Sequence, residues 1–311
     1  MNSDIEVSVY CLAYNHGRYI AQALEGFVKQ KTTFHYEVIV HDDASSDNTA
    51  KVIAEYASRY PDIIKPVYQR ENQYSKGVSI LDQFIEPILN SKKYYAICEG
   101  DDYWIDENKL QIQYDYMENH ENCSMCVHNT KKIAEDGNDL HLVFNTSATD
   151  TEYSTEEIIK AGGGGLFHTS SFFWRKKYGL SVPDSFKIKG IGDYTRAIYL
   201  STVGDIYYFG KVMSAYRIGS VNSWMKSTTG NTDKMTHHIE LIVAGLERMN
   251  QYTERNYNEA FNLAIAQNKF RLCEIKRDYK NIFRDPVLLS VYKEKSLTQK
   301  LKIWLKMLLK R

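Results

Sequence analysis

Glu99-Gly100-Asp101-Asp102 sets three carboxylates around one glycine, directly after the apolar run Tyr95-Ala96-Ile97-Cys98. The run suits one buried strand. The acids cannot follow it into a core, because an unpaired buried carboxylate is costly or takes up a proton. They are expected where the strand leaves its sheet, the edge at which open α/β sheets bind ligands. Glycine keeps the turn tight and lets a ligand approach the backbone. Adjacent hard oxygen donors suit Mg²⁺ or Mn²⁺ holding phosphate groups. Taken alone, an Asp-Asp pair is more often a solvated turn. A second acidic strand end, Asp42-Asp43 after Tyr36-Glu37-Val38-Ile39-Val40, argues for a site.

The elements that must position these acids can be read upstream. Val7 to Leu12 is a β-rich run broken by Ala13-Tyr14-Asn15-His16-Gly17. Tyr19, Ile20, Ala23, Leu24, Phe27 and Val28 then recur at helical spacing. Strands are expected at 36–40, 63–68 and 94–98, and helices at 50–59 and 79–89. This alternation predicts a doubly wound, mostly parallel α/β sheet with right-handed crossovers. In such a sheet every carboxyl end lies on one edge. The two acidic ends and the Tyr14-Asn15 turn would therefore share one crevice.

Composition narrows the function. Lys plus Arg number 39 and so do Asp plus Glu, so no net field recruits nucleic acid. Five cysteines do not read as a disulfide framework. Cys123-x-x-Cys126 lacks the second pair of a zinc ribbon, and it reads as a buried strand through Val127 and Asn129. The start, Met1-Asn2-Ser3-Asp4-Ile5-Glu6, does not read as a signal peptide. No stretch approaches the roughly 18–20 apolar residues of a spanning helix. A cytoplasmic protein is expected.

Further along, Lys109 to Asn119 reads as a helix and Ala134 to Asp150 as polar loop. Ser154-Thr155-Glu156-Glu157 opens a short helix. The glycines 162–165 precede an aromatic strand rather than a helix, so they read as a hinge or close-approach loop, not a P-loop. Gly192-Asp193-Tyr194 opens another helix, and strands follow at 205–209 and 212–217. Ser220 to Asn231 reads as a mobile loop or linker. From Lys234 to Leu272 the pattern is helical. Leu297, Leu301, Trp304, Leu305 and Leu308 fall on one helical face beside Lys302, Lys306 and Lys310. Such a basic amphipathic helix over 297–311 suits peripheral contact with the inner face of the cell membrane, or packing on the domain or on a partner. The expected division is a catalytic domain over 1–225 and a helical C-terminal region over 226–311.

Residues 7 to about 225 resemble the family 2 glycosyltransferases, inverting enzymes of the GT-A (Rossmann-like) fold. The resemblance is carried by Val7-Ser8-Val9 leading to Tyr14-Asn15, by Tyr19 to Leu24, and by Gln30. Asp42-Asp43-Ala44-Ser45-Ser46-Asp47-Asn48-Thr49 and Glu99-Gly100-Asp101-Asp102-Tyr103-Trp104 continue it. Lys109-Leu110-Gln111-Ile112-Gln113, Gly192-Asp193-Tyr194 and Tyr216-Arg217 complete it. It implies transfer from a nucleotide-sugar, a UDP-sugar by preference, to a glycan or lipid-linked acceptor in surface polysaccharide synthesis. Ala13, Tyr14, Asn15 and Asp43 would hold the nucleotide, with Asp43 accepting from a uracil N–H. Asp101 would meet the ribose or the metal, and Asp102 would ligate Mn²⁺ or Mg²⁺. Glu99 stands where the family commonly has aspartate. Asp193 would be the general base. Many relatives carry a histidine shortly after the Tyr-Arg pair. Here Gly219 occupies that place, and Arg217, Asn222 or Trp224 would serve instead.

Two other readings remain at this point. A nucleotidyltransferase would use a similar sheet, but Asn15-His16-Gly17-Arg18 is a poor match to its glycine-rich first loop. A carbohydrate-binding module without turnover is the other. The intact acids argue against it.

Overall fold

The computed structural model describes residues 4–162, 166–180, 182–188, 190–220 and 230–308. The alternating runs become β1 (Ile5–Ala13), α1 (Ile20–Val28), β2 (His35–Asp42), α2 (Thr49–Arg59), β3 (Ile64–Tyr68) and β4 (Tyr94–Ile97). Then come β5 (Tyr103–Trp104), α3 (Lys109–Asn119), β6 (Cys123–Ile133), β7 (Asp139–Val143) and β8 (Thr151–Tyr153). They are followed by α4 (Thr155–Lys160), β9 (Phe173–Arg175), α5 (Gly192–Val203) and β10 (Asp205–Arg217). The chain ends in α6 (Thr232–Tyr252), α7 (Asn258–Ile275), α8 (Tyr279–Arg284), α9 (Pro286–Glu294) and α10 (Leu297–Leu308).

The strands form one sheet in the order β3-β2-β1-β4-β9-β6-β10-β5, with β7 on β6 and β8 on β10. β1, β2, β3, β4, β6 and β10 run one way, and the short strands β5, β7, β8 and β9 run the other. This is the expected α/β sheet. Period-two alternation decides its faces. Val7, Val9 and Cys11 of β1 cluster with Ile20, Leu24 and Phe27 of α1 and with Val38 and Val40 of β2. Each such fully buried side chain contributes about 1.5–3 kcal/mol. The residues between face the other way: Ser8 Oγ donates to Glu37 Oε1 at 2.6 Å, and Tyr10 meets Trp174 edge-on.

Local differences from the sequence reading have physical causes. The helix expected at 79–89 is one π turn, Leu81–Ile85, and one 3₁₀ turn, Glu86–Ile88. Pro87 lacks an N–H and its ring would strike the carbonyl of Gln83 in a regular helix. The polar segment 134–150 contains β7, an exposed edge strand on β6. The two strands expected at 205–217 are one strand, β10, with a register shift between Phe209 and Val212. Gly210 absorbs it: its N–H donates to Asp150 Oδ1 at 2.8 Å, and a Cβ there would lie 2.1 Å from Ala148 O. The long helix expected from 234 to 272 breaks between α6 and α7, where Glu254 and Arg255 take left-handed backbone angles. Cys123 and Cys126 lie in β6 as buried free thiols. Gly163 to Gly165 and the segment 221–229, with Asn222 and Trp224, lie outside the described residues.

Packing divides the chain into two units. The first comprises 1–153, 165–182 and 203–226, and holds the sheet. The second comprises 154–164, 183–202 and 227–311. Residues 154–164 and 183–202, within the span expected for the catalytic domain, thus group with the helical region. α4 packs on α7, and Asn268 Nδ2 donates to Gly162 O at 2.7 Å. Phe186 meets Tyr252 edge-on. Ile282, Leu288, Val291 and Ile303 form the core of the terminal helices.

Candidate active site

β1, β2 and β4 end side by side, at Ala13, Asp42 and Ile97. The ladder runs on past them. Asp43 N–H donates to Ala13 O and Gly100 N–H to Leu12 O, both at 3.0 Å. The sheet therefore brings the first turn and both acidic ends to one edge. A Cβ on Gly100 would lie 2.8 Å from Ile20 Cδ1 and 2.9 Å from His16 Nδ1, so any other residue in the acidic turn would displace one of these side chains.

The loops after β1 and β2 are tied together. Asn15 (φ 54°) and Ala44 (φ 61°) take left-handed backbone angles. Asn15 N–H donates to Ser45 Oγ, and Ser46 N–H donates back to Asn15 Oδ1, both at 2.8 Å. Gly17 N–H donates to Asp47 Oδ2 at 2.9 Å. The side chain of Asn15 thus braces loop to loop, while Tyr14 is 39% exposed. Asp43 is buried and points at a third loop: its Oδ1 accepts from Gln73 N–H at 2.8 Å and its Oδ2 from Tyr74 N–H at 3.0 Å. Beside it, burial raises the Asp42 carboxyl, against hydrogen bonds from Ser45 that lower it.

Carboxylate oxygens of Glu99, Asp101 and Asp102 lie within 4.8 Å of one another. Asp102 is buried. Burial first, and then the charges of Asp101 and Glu99, push its carboxyl well above the usual range. Hard oxygens that repel one another suit a divalent cation, which would offset that repulsion. The donor set therefore fits Mn²⁺ or Mg²⁺. Asp101 Oδ2 accepts from Ser220 Oγ at 2.6 Å and stands 4.0 Å from His16 Nε2.

Arg217 is turned to the protein. Its backbone N–H serves Asp102 Oδ1 at 2.9 Å, and its Nε donates to Asp101 O at 3.1 Å. Nη1 donates to Ala134 O and Glu135 O, and Nη2 to Gln22 Oε1. The guanidinium lies 4.7 Å from the Tyr19 ring centroid, and the residue is 2% exposed. Arg217, expected at the donor, engages four of its five N–H groups with these partners and so braces the turn that carries the acids.

Other motif residues have structural work. Lys109 is fully buried, with Nζ 4.0 Å from the Trp104 ring centroid and 2.7 Å from Gln113 Oε1. Burial lowers its amine to about 7. Gln113 Nε2 donates to Cys126 O and Ser171 O, and Gln30 Oε1 accepts from Leu110 N–H. Lys109 thus packs α3 on β5, which follows the acids directly, and Gln113 and Gln30 tie α3 to β6, to Ser171 and to the end of α1.

His168 reaches the acids unannounced by the sequence reading, which took it as part of an aromatic strand. Its Nε2 stands 3.5 Å from Asp102 Oδ2, and burial lowers the imidazole to about 4. The usable signal was its company, Thr169-Ser170-Ser171, three hydroxyls after a histidine in an otherwise apolar stretch. Asp193 belongs to the second unit, in the first turn of α5. Its Oδ1 accepts from Tyr194 N–H at 2.8 Å, and burial raises its carboxyl.

The sequence matches Glycosyl transferase family 2 over residues 8–178, more than half of the 311-residue chain. The chain belongs to glycosyl transferase family 2. An uncharacterised protein of Mycobacterium tuberculosis is 39% identical over 132 residues, which cover 42% of this chain and 37% of that protein. The chain thus spans little more than a third of that relative's length. A glycosyltransferase of Nostoc sp. is 26% identical over 255 residues, covering 80% of this chain and 74% of that one. Staphylococcus aureus TarS 1–349, in complex with UDP-GlcNAc, shares the fold at a TM-score of 0.60 and 17% identity, over 96% of this chain and 79% of that one. The mannosyltransferase PcManGT of Pyrobaculum calidifontis, in complex with GDP-Man and Mn²⁺, gives 0.54 at 13% identity, over 98% and 84%. In this family 2 glycosyl transferase the matched segment contains the first two loops, the acidic turn and His168. Asp193 and Arg217 lie beyond it.

Proposed function

We propose that the protein is an inverting, metal-dependent glycosyltransferase. It moves a sugar from a UDP-sugar to a hydroxyl of a glycan or lipid-linked acceptor in surface polysaccharide synthesis. The observation that carries this reading is the carboxylate trio Glu99, Asp101 and Asp102 at the sheet edge shared with Asp43. Family membership, and the UDP-GlcNAc and GDP-Man of the two structural neighbours, support it.

Ala13, Tyr14, Asn15 and Asp43 are assigned to the nucleotide. Asp43 retains lone pairs beyond those that serve Gln73 and Tyr74. Asp101 and Asp102, with Glu99, would hold Mn²⁺ or Mg²⁺, which would neutralise charge on the leaving diphosphate. The acceptor oxygen forms a bond to the anomeric carbon as the bond to the diphosphate oxygen breaks, inverting that centre. The acceptor proton passes to the carboxylate of Asp193, whose raised proton affinity suits a general base. The assignment of Asp193 rests on its place in Gly192-Asp193-Tyr194. No covalent nucleophile is needed.

No helix among the described residues is long and apolar enough to cross a membrane. α10 packs Ile303 inward and leaves Leu297, Leu301, Trp304, Leu305 and Leu308 exposed, with Lys300 on one flank and Lys302 and Lys306 on the other. Apolar stripes flanked by lysines lie well on anionic lipid. We assign this face to peripheral membrane contact, close to a lipid-linked acceptor.

The deciding experiment incubates the protein with Mn²⁺ and a panel of nucleotide-sugars and follows nucleoside diphosphate release. Release from a UDP-sugar, lost on chelation, is expected. Pyrophosphate release instead, or no release with any donor, would overturn the reading.

A further inference from the structure

We propose that His168 is a positioning residue for Asp102, held in a single tautomer by a line of buried hydroxyls. The inference rests on the reading of Asp102 as a metal-holding carboxylate. His168 Nδ1 accepts from the backbone N–H of Ser170 at 3.3 Å, and a backbone N–H can only donate. Nδ1 therefore carries no proton, and in the neutral ring the proton sits on Nε2.

The hydroxyls agree. Ser170 Oγ lies 2.8 Å from Nδ1, so it donates to the ring. Ser214 Oγ lies 2.9 Å from Ser170 Oγ, and Thr130 Oγ1 lies 2.8 Å from Ser214 Oγ. With each proton committed toward the ring, Ser214 donates to Ser170 and Thr130 donates to Ser214. Thr130, Ser170 and Ser214 are fully buried, so no water competes to reverse the order. Phe144 and Tyr216 pack against the imidazole with centroids at 5.3 and 4.3 Å and fix its plane.

At the far side of the ring, Nε2–H faces Asp102 Oδ2 at 3.5 Å, while Arg217 N–H serves Oδ1. A donor thus faces each oxygen, and the carboxylate orientation is set before a cation arrives. The same geometry excludes the ring as a ligand. Its lone pair is on Nδ1, turned toward Ser170 and away from the acids.

The test measures Mn²⁺ binding by loss of the free-ion paramagnetic resonance signal, in the presence of UDP, for the full chain and three variants. His168→Asn, which cannot place a donor where Nε2 stands, is expected to weaken Mn²⁺ about tenfold. His168→Gln, whose amide nitrogen reaches that place, is expected to stay within about twofold of the original. Ser214→Ala touches neither His168 nor Asp102 and is expected to weaken binding by a smaller factor. Nitrogen-15 spectra of histidine-labelled, ligand-free protein should show the His168 proton on Nε2. A proton on Nδ1, equal losses in the Asn and Gln variants, or no loss in any variant would each overturn the proposal. If the His168 variants do not fold, Ser214→Ala and the tautomer decide. Failure of the unaltered protein to bind Mn²⁺ would instead remove the metal reading itself, and the proposal with it.

Discussion

The backbone N–H of Arg217 and the Oδ1 of Asp102 meet at 2.9 Å although 115 residues separate them. β10 and the acidic turn are thereby locked at one point, and the Arg217 side chain wraps the same turn through Asp101 O. Arg217→Lys is expected to destabilise the ligand-free protein by about 2–4 kcal/mol, because the carbonyls of Asp101, Ala134 and Glu135 lose planar donors. Urea unfolding without nucleotide reads this. An unchanged midpoint would mean that the guanidinium is reserved for substrate.

Asp43→Asn should loosen the loop at Gln73 and Tyr74. One carboxylate oxygen becomes an NH₂ group that faces a backbone N–H. Faster limited proteolysis across 70–78 in ligand-free protein is expected, together with UDP affinity lowered about tenfold or more. Calorimetric titration with UDP checks the second part.

Asp193→Asn should bind UDP as the unaltered protein does and lose about 10²–10⁴-fold in turnover. Retained turnover with normal donor binding would withdraw Asp193 as the base.

Lys109 gives a pH dependence with a defined sign. Its folded amine releases its proton near 7, against the ordinary lysine value of 10.5, because burial disfavours the charge. Between those values the unfolded chain holds the extra proton, so raising pH stabilises the fold. Relative to Lys109→Met, stability should rise by about 1 kcal/mol per pH unit from pH 7 to 8.5. Unfolding midpoints across that window, in parallel for both proteins, measure it; parallel curves would mean a solvated amine.

Exchanging both Leu301 and Trp304 of α10 for Ser should reduce cosedimentation of the full chain with phosphatidylserine vesicles by about tenfold. Raised salt should weaken the unaltered protein's binding, since lysines flank the stripe. Equal sedimentation of both forms would assign the face to protein contact.

The sheet and its acidic edge were legible because they rest on local signals. Short apolar and β-rich runs gave β1, β2 and β4, and acids after β2 and β4 marked the boundary with solvent. The backbone contacts of Arg217 were not legible, since a guanidinium reads alike in sequence whether its donors face substrate or backbone. His168 escaped notice for a related reason. Its importance lies in partners at Thr130 and Ser214, 38 and 46 residues away, brought in by β6 and β10. Pro87 marks the break in the expected helix, since it lacks an N–H and its ring would strike the Gln83 carbonyl in a regular turn.

The helical unit takes its residues from both sides of sheet strands, so the gene encodes it in three pieces interleaved with those of the sheet unit. A break after residue 226 would not release a portable tail. It would leave α4 without α7 and Phe186 without Tyr252, exposing apolar surface on a fragment that still carries the acids.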